Sequence, residues 1–222
     1  MQVDLQGPEG RLESLFEEAP APAFGAIVCH PHPLFGGTMH NHATYWLARA
    51  ARARGGAVLR FNYRGVGRSA GTYGDGDGEA LDAAAMLAWL ARERPGIPLL
   101  ACGFSFGAWM ALLAGGAEPR VRGLLLAGLA LRAPDLERFR ESARARDVEK
   151  PIAVVQAERD EFGTPAEVEA ALAGSRGPRR IAAVPGATHL FGEDLSALKR
   201  EAEASVSWLL AGGRDEPVAP AR

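Results

Sequence analysis

The chain has 222 residues, of which 47% are hydrophobic and 23% are charged, and its formal net charge at pH 7 is −2. A chain of this length can bury the core of one α/β domain. Its acidic and basic residues are interspersed, which argues against a nucleic acid or an anionic membrane as a binding partner.

The N-terminal segment predicts a β-hairpin. The residues up to Glu18 alternate loosely, and they contain the turn sequence Gly7-Pro8-Glu9-Gly10. We therefore expect two short edge strands here. The segment lacks the basic start and the apolar run of a secretory signal, so we also expect a cytoplasmic protein.

The remainder of the chain alternates between short apolar runs and amphipathic stretches. The runs predict buried strands, and apolar residues at helical spacing predict helices. The predicted strands cover residues 23–29, 57–61, 97–101, 121–131, 151–157 and 180–184. The predicted helices cover residues 41–54, 79–94, 108–114, 134–147, 165–173 and 194–210. This alternation predicts an α/β fold with a mostly parallel central sheet and helices on both faces.

The sequence predicts both the start and the buried face of the helix over residues 79–94. Asp77 is expected to cap its start. The apolar residues at helical spacing are expected to form one face of this helix, and they are Leu81, Ala84, Ala85, Ala88 and Trp89.

We expect residues 1–210 to form a single domain. Residues 211–222 combine prolines, glycines and charges, which predicts a disordered tail. The two cysteines, Cys29 and Cys102, each end an apolar run. In a chain without a secretion signal, such residues are expected to be buried thiols rather than a disulfide.

A serine in a sharp turn is the first candidate for chemistry. Gly103-Phe104-Ser105-Phe106-Gly107 lies between a strand-like run and a helix-favouring run, and this is the context that the Gly-x-Ser-x-Gly motif requires. The turn would hold the serine Oγ above the sheet at the positive end of the following helix. A plain Gly-Ser-Gly turn is the alternative. We predict that Ser105 is a nucleophile.

A serine nucleophile needs a base, and an acid to orient that base. His189 is the only histidine downstream of Ser105, and it follows the last predicted strand. With this motif the chain order is serine, acid, histidine. Asp160 follows the strand over 151–157 and is the favoured acid, with Glu158 and Glu161 in the same loop as its rivals.

The tetrahedral intermediate of acyl transfer needs donors for its oxyanion. One is expected to be the backbone N–H of Phe106, next to the nucleophile. The other is expected from the loop after Cys29, where two prolines lack an N–H. His32 is favoured because it is nearer the strand end, and Leu34 is the alternative.

Two other patterns suggest ligands only weakly. His30, His32, His40 and His42 lie close together, but no acidic or cysteine ligand accompanies them, so we expect no metal site. Gly65-Val66-Gly67 follows a strand, but its third glycine comes late and no helix opens there. We therefore expect no cofactor.

Taken together, these segments resemble the α/β-hydrolase superfamily, and within it the small lid-less bacterial serine hydrolases and esterases of dienelactone-hydrolase-like size. The resemblance covers residues 23–210 and includes five segments: His30-Pro31-His32-Pro33 with Gly36-Gly37, Asn62 to Ser69, Gly103 to Gly107, the acid before Thr164-Pro165, and Gly186-Ala187-Thr188-His189. It implies the α/β-hydrolase fold with a minimal cap, and Ser105, Asp160 and His189 as nucleophile, acid and base. Ala157 departs from the pattern, because relatives often have glycine there.

The function expected from the triad and the resemblance is a carboxylesterase acting on small-molecule esters with short acyl groups. The interval over residues 132–150 is too short for a substantial lid. The same triad could serve a thioesterase, a peptidase, an acyltransferase or a cofactor-free perhydrolase. A non-catalytic hydrolase-like binding protein is the alternative from a different class. The sequence predicts no oligomeric state.

Overall fold

The structure is a computed structural model that describes residues 1–132, 136, 139 and 147–214. Within these residues eight strands form one sheet in the spatial order β1-β2-β4-β3-β5-β6-β7-β8. The strands are β1 Gln2–Gly7, β2 Gly10–Glu17, β3 Phe24–Cys29, β4 Gly56–Phe61, β5 Leu99–Phe104, β6 Val121–Ala127, β7 Ile152–Ala157 and β8 Arg179–Val184. The helices are α1 His42–Ala53, α2 Asp77–Glu93, α3 Phe106–Ala117, α4 Pro165–Ala171 and α5 Leu195–Leu210, with a 3-10 turn at Pro33–Phe35.

The sheet is parallel from β4 to β8 in its spatial order. The N-terminal hairpin joins it through the antiparallel pairing of β2 with β4. Of the two hairpin strands only β1 therefore lies at an edge of the sheet, and the expectation of two edge strands was wrong for β2. Because parallel strands run in one direction, the loops after β3, β5, β7 and β8 meet at one edge of the sheet.

Alternate residues of the central strands enter two apolar layers, one on each face of the sheet. In β3, Ile27 packs with α2 and α3 on one face, and Val28 packs with α1 and α5 on the other. A strand covered on both faces reads as a continuous apolar run, which is why the sequence revealed it. The predicted α/β fold, with a mostly parallel sheet and helices on both faces, is confirmed.

The two cysteines are buried free thiols, as predicted. Cys29 lies in the layer that contains α2 and α3, and Cys102 lies in the layer that contains α1 and α5. Burial raises the pKa of Cys29 to about 12 and raises that of Cys102 as well. Both side chains therefore stay uncharged.

The predicted apolar face of α2 was wrong in part. Ala85 and Trp89 pack against the core, but the centre of the buried face lies elsewhere. Leu81 is 57% exposed, whereas Met86, Leu87 and Leu90 are completely buried. The reason is an ion pair in the middle of the buried face, where Asp82 accepts hydrogen bonds from Arg64 Nη2 at 2.8 Å and Nε at 3.1 Å. Because the charged residue Asp82 lies at the centre of the inward face, the spacing of apolar residues did not indicate this face. Asp77 is the first helical residue, and Gly76 is the N-cap.

Two predictions fall wholly or partly outside the described residues. The helix predicted over 134–147 and most of the tail predicted over 211–222 lie there. The strand predicted over 121–131 ends at Ala127, because Gly128 has a φ of 51° that interrupts extended backbone. Leu136 and Phe139 are buried in the same layer as α3. In the described part of the chain, no helix has the length and apolarity needed to span a membrane.

Candidate active site

The turn between β5 and α3 holds Ser105 in a strained conformation, with φ at 56° and ψ at −118°. Both motif glycines are required by close backbone approaches. A Cβ on Gly103 would lie 2.0 Å from the carbonyl oxygen of Gly107, and a Cβ on Gly107 would lie 2.3 Å from that of Cys29. Strain of this kind persists only where the surrounding structure enforces it, and it is common at functional sites.

Ser105, His189 and Asp160 form one hydrogen-bonded chain. The distance from Ser105 Oγ to His189 Nε2 is 2.8 Å, and the distance from His189 Nδ1 to Asp160 Oδ2 is also 2.8 Å. His189 is 5% exposed and Asp160 is 2% exposed. With Nδ1–H donating to the carboxylate, Nε2 is left as an acceptor for the serine hydroxyl proton. The arrangement can raise the nucleophilicity of Ser105.

The two rival carboxylates have other partners. Glu158 Oε2 accepts a hydrogen bond from the Gly186 N–H at 2.7 Å, and Glu161 Oε2 accepts one from the His189 N–H at 3.4 Å. Both therefore hold the backbone of the loop that carries His189. Of the three acidic residues in the loop after β7, Asp160 is the one whose carboxylate contacts the imidazole.

Two further donors hold the Asp160 carboxylate. The Phe162 N–H donates to Oδ1 at 2.9 Å, and the side-chain amide of Gln156 donates to Oδ2 at 2.9 Å. Gln156 lies in β7 and is completely buried. The sequence analysis missed it, although a glutamine inside the apolar run over residues 152–157 was a visible signal.

The loop after β3 folds tightly beside the nucleophile. The Leu34 N–H donates to His32 Nδ1 at 3.2 Å, so that donor is engaged within the loop. The His32 ring lies 4.8 Å from that of Phe106, which begins α3. The Phe106 N–H is in the first turn of the helix and has no acceptor within it. The geometry favours His32 over Leu34 as the second donor, and both oxyanion assignments stay predictions.

His30 has a structural role at the end of β3. Its Nδ1–H donates to the Pro31 carbonyl at 2.7 Å, and its Nε2 accepts from the Tyr63 N–H at 3.2 Å. Burial lowers the pKa of His30 to about 3, so it is neutral. His40 is exposed. Among the described residues, no group of three or more His, Cys, Asp or Glu side chains is placed to hold a metal ion.

A second loop, over residues 65–76, also borders the site. Glu79 accepts hydrogen bonds from the backbone N–H groups of Gly74 at 3.0 Å and Gly76 at 2.8 Å. This brings Tyr73 to the loop after β3, where its hydroxyl lies 3.2 Å from His32 Nε2. The sequence analysis did not identify Tyr73, because only the folded chain brings these two loops together.

Exposed apolar side chains flank the triad. Leu34 is 64% exposed and Phe35 is 83% exposed, and both lie in the 3-10 turn after His32. Leu190, next to His189, is 65% exposed. We call Leu34, Phe35 and Leu190 the apolar rim. Since hydrogen bonds within the turn fix its backbone, Leu34 and Phe35 are presented to solvent by a rigid element.

Residues 34–207 match a family model described as "Alpha/beta hydrolase domain". An uncharacterized protein of Rickettsia prowazekii (strain Madrid E) is 45% identical over 113 residues, which are 50% of this chain and 48% of that protein. The match thus spans about half the length of this curated relative.

Two solved structures are similar along nearly the whole chain. An alpha-beta serine hydrolase homologue from Coxiella burnetii has a TM-score of 0.83 and 29% identity, covering 93% of this chain and 97% of that one. A protein from Xanthomonas campestris, described as an α/β serine hydrolase without a lid, has a TM-score of 0.80 and 33% identity, covering 93% of each chain.

Proposed function

From the premise that the chain belongs to the alpha/beta hydrolase domain family and is a hydrolase, we propose that it is a serine carboxylesterase. The observation that carries the proposal is the hydrogen-bonded chain from Ser105 through His189 to Asp160, at 2.8 Å for each step. In the proposed roles, Ser105 is the nucleophile, His189 is the general base and acid, and Asp160 orients His189.

In the acylation step, His189 Nε2 takes the Ser105 Oγ proton while Oγ bonds to the carbonyl carbon of the ester. The carbonyl electron pair moves to oxygen, and the N–H groups of Phe106 and His32 are proposed to stabilise that charge. Collapse of the intermediate breaks the bond to the alcohol oxygen, which receives the proton from His189. A water then repeats the sequence on the acyl-enzyme and releases the acid.

The negative charge of Asp160 stabilises the imidazolium that forms in each transition state. The buried position of both side chains makes this interaction stronger than it would be in water. The Gln156 amide and the Phe162 N–H each donate a hydrogen bond to this carboxylate.

The substrates proposed are small-molecule esters with acyl groups of about two to six carbons. Leu136 and Phe139, from the interval where a lid would stand, are 2% and 4% exposed and packed in the core. A related protein from Xanthomonas campestris is described as lacking a lid. We propose that the substrate's apolar group lies on the open apolar rim. We also propose that the protein acts in the cytoplasm without a cofactor.

Labelling with a fluorophosphonate tests the proposal, because this reagent reacts with activated serines. Mass spectrometry of the labelled protein should find the adduct on Ser105, and Ser105→Ala should not react. A non-catalytic binding protein would not be labelled. Rates on matched esters, thioesters and aminoacyl amides then separate the esterase from a thioesterase or a peptidase that uses the same triad, and product analysis with added alcohol or peroxide separates the acyltransferase and the perhydrolase.

A further inference from the structure

We propose that Gln156 is a positioning residue for the reaction, and that its side-chain amide holds the Asp160 carboxylate in place against His189. This inference rests on the proposed function. It concerns a residue that contacts no reacting atom and that acts through Asp160.

The side-chain amide of Gln156 forms three hydrogen bonds with groups inside the protein. Its Oε1 accepts from the Leu129 N–H at 2.9 Å, and its Nε2 donates to Asp160 Oδ2 at 2.9 Å and to the Gly163 carbonyl at 2.6 Å. The residue is completely buried. A buried polar group with such partners is held in one orientation, because losing any of these bonds leaves a group unsatisfied.

Gln156 can affect His189 because it donates to the Asp160 oxygen that contacts the imidazole. The same oxygen, Oδ2, accepts from both His189 Nδ1 and Gln156 Nε2. The other oxygen, Oδ1, accepts from the Phe162 N–H. The carboxylate therefore cannot rotate without breaking a hydrogen bond, and the Gln156 donor withdraws charge from the oxygen that faces the imidazole.

Gln156 also connects the two loops on either side of the imidazole. Leu129 follows Gly128, where an added Cβ would lie 3.2 Å from His189 Cε1. Gly163 lies in the loop that carries Asp160 and Phe162, and the Phe162 ring is 4.7 Å from the His189 ring. One amide thus fixes both backbone segments that border the base.

The ionisable groups around Asp160 come from three loops. His189 contacts it directly, and Glu161 accepts from the His189 backbone. Arg132, after β6, is a nearby positive charge that interacts with Asp160. Glu158 points to Gly186. Gln156 is an uncharged side-chain donor to Asp160, so its replacement changes the Asp160 environment without removing a charge.

Gln156→Met tests the inference by keeping the length of the side chain and removing its donors. We expect kcat/KM to fall by about 10–100-fold, chiefly in kcat. Without the amide, Oδ2 interacts more strongly with the imidazolium. The ascending limb of the pH profile of kcat/KM should therefore move upward by about half a pH unit or more.

Asn62→Leu is the matched control. Asn62 is also a buried amide that connects two segments, accepting from the Met39 N–H at 2.8 Å and donating to Glu13 at 2.9 Å. It lies at the end of β4, away from Asp160. Its replacement should lower the free energy of unfolding without moving the ascending limb. A purely structural role for Gln156 predicts the same behaviour for both variants.

Gln156→Glu gives a second signature if the methionine variant does not fold. Two carboxylates this close repel each other when both are ionised, so the pair would share a proton until the pH is raised well above the ordinary carboxyl range. The protonated form can donate to Asp160 Oδ2 as the amide does. Activity should then be highest while the proton is retained and should fall at higher pH. This adds a descending limb between about pH 6 and 9 that the wild-type profile lacks.

The outcomes separate the inference from the proposed function. If wild-type protein is labelled on Ser105 and hydrolyses esters, the function stands. Variants of Gln156 with a wild-type pH profile would then overturn the inference. If wild-type protein neither reacts with a fluorophosphonate nor hydrolyses any ester, thioester or amide, the proposed function is overturned and the inference falls with it.

Discussion

The imidazole of His189 and the carboxylate of Asp160 meet at 2.8 Å, although 29 residues separate them in the chain. Asp160→Asn should lower kcat by about 10³–10⁴-fold, because the amide would favour the wrong imidazole tautomer and remove the charge that stabilises imidazolium. Steady-state kinetics at saturating ester measures this loss directly.

Glu158→Gln and Glu161→Gln are the controls for Asp160→Asn. A glutamine can still accept from the backbone N–H groups of Gly186 or His189, so each change should cost less than about tenfold. If either of these variants is as inactive as Asp160→Asn, the acid has been assigned to the wrong residue.

The pH dependence of kcat/KM should show one ascending limb. Only neutral His189 can accept the serine proton, so kcat/KM should rise once as pH increases and then remain level. Initial rates in buffers of constant ionic strength between pH 5 and 9 give the profile. A flat profile over this range would contradict a histidine base.

A different histidine should control stability at acid pH. Burial lowers the pKa of His30 from 6.5 to about 3. Between these values the unfolded chain binds a proton that the folded protein does not. The free energy of unfolding should therefore fall as pH falls below 6.5, with a slope that approaches about 1.4 kcal/mol per pH unit.

The free energy of unfolding, measured with urea at about pH 8, 6 and 5, tests the role of His30. His30→Gln should be less stable at pH 8, by about 1–3 kcal/mol, and should lose part of the slope below pH 6.5. His40→Gln changes an exposed histidine and should leave the slope as it is. Equal slopes in all three proteins would show that His30 does not titrate as described.

Because the apolar rim is open, kcat/KM should not keep rising as the acyl chain of the ester becomes longer. Each fully buried methylene would raise kcat/KM about fourfold, since it contributes about 0.8 kcal/mol. An open rim buries little of a long chain, so kcat/KM for nitrophenyl esters should level off or fall beyond about six carbons. A continued several-fold rise for every two carbons up to about twelve would require an acyl tunnel.

Phe35→Ser tests the rim itself. Phe35 is 83% exposed beside the proposed oxyanion loop, and its loss should raise KM for butyrate and hexanoate esters about 2–5-fold with kcat unchanged. Leu81→Ser is the matched control, because Leu81 is 57% exposed but lies on α2. If the two variants behave alike, the substrate does not contact Phe35.

Ser105 and His189 could be predicted as site residues from the sequence, because each follows a strand that an apolar run predicts. It left Asp160 in competition with Glu158 and Glu161, since the direction of a carboxylate in a loop depends on backbone geometry that no spacing encodes. Gln156 escaped notice because only the folded loop after β7 turns Asp160 and Gly163 back to its amide. Tyr73 escaped notice because its partner His32 comes from a distant segment.

The same limit explains the error in α2. Periodicity alone placed Leu81 on the inward face, but the folded chain exposes Leu81 and buries Asp82 there with Arg64. A buried ion pair inverts the usual relation between polarity and exposure. Such a pair can be recognised only when both partners are seen together.

The central claim is that Ser105 is the nucleophile, and single-turnover and steady-state kinetics of Ser105→Ala test it most directly. The account predicts a loss in kcat of about 10⁴-fold or more, with thermal unfolding close to wild type and no covalent acyl-enzyme by mass spectrometry. A folded Ser105→Ala protein that retains a tenth of the wild-type ester hydrolysis would contradict the claim.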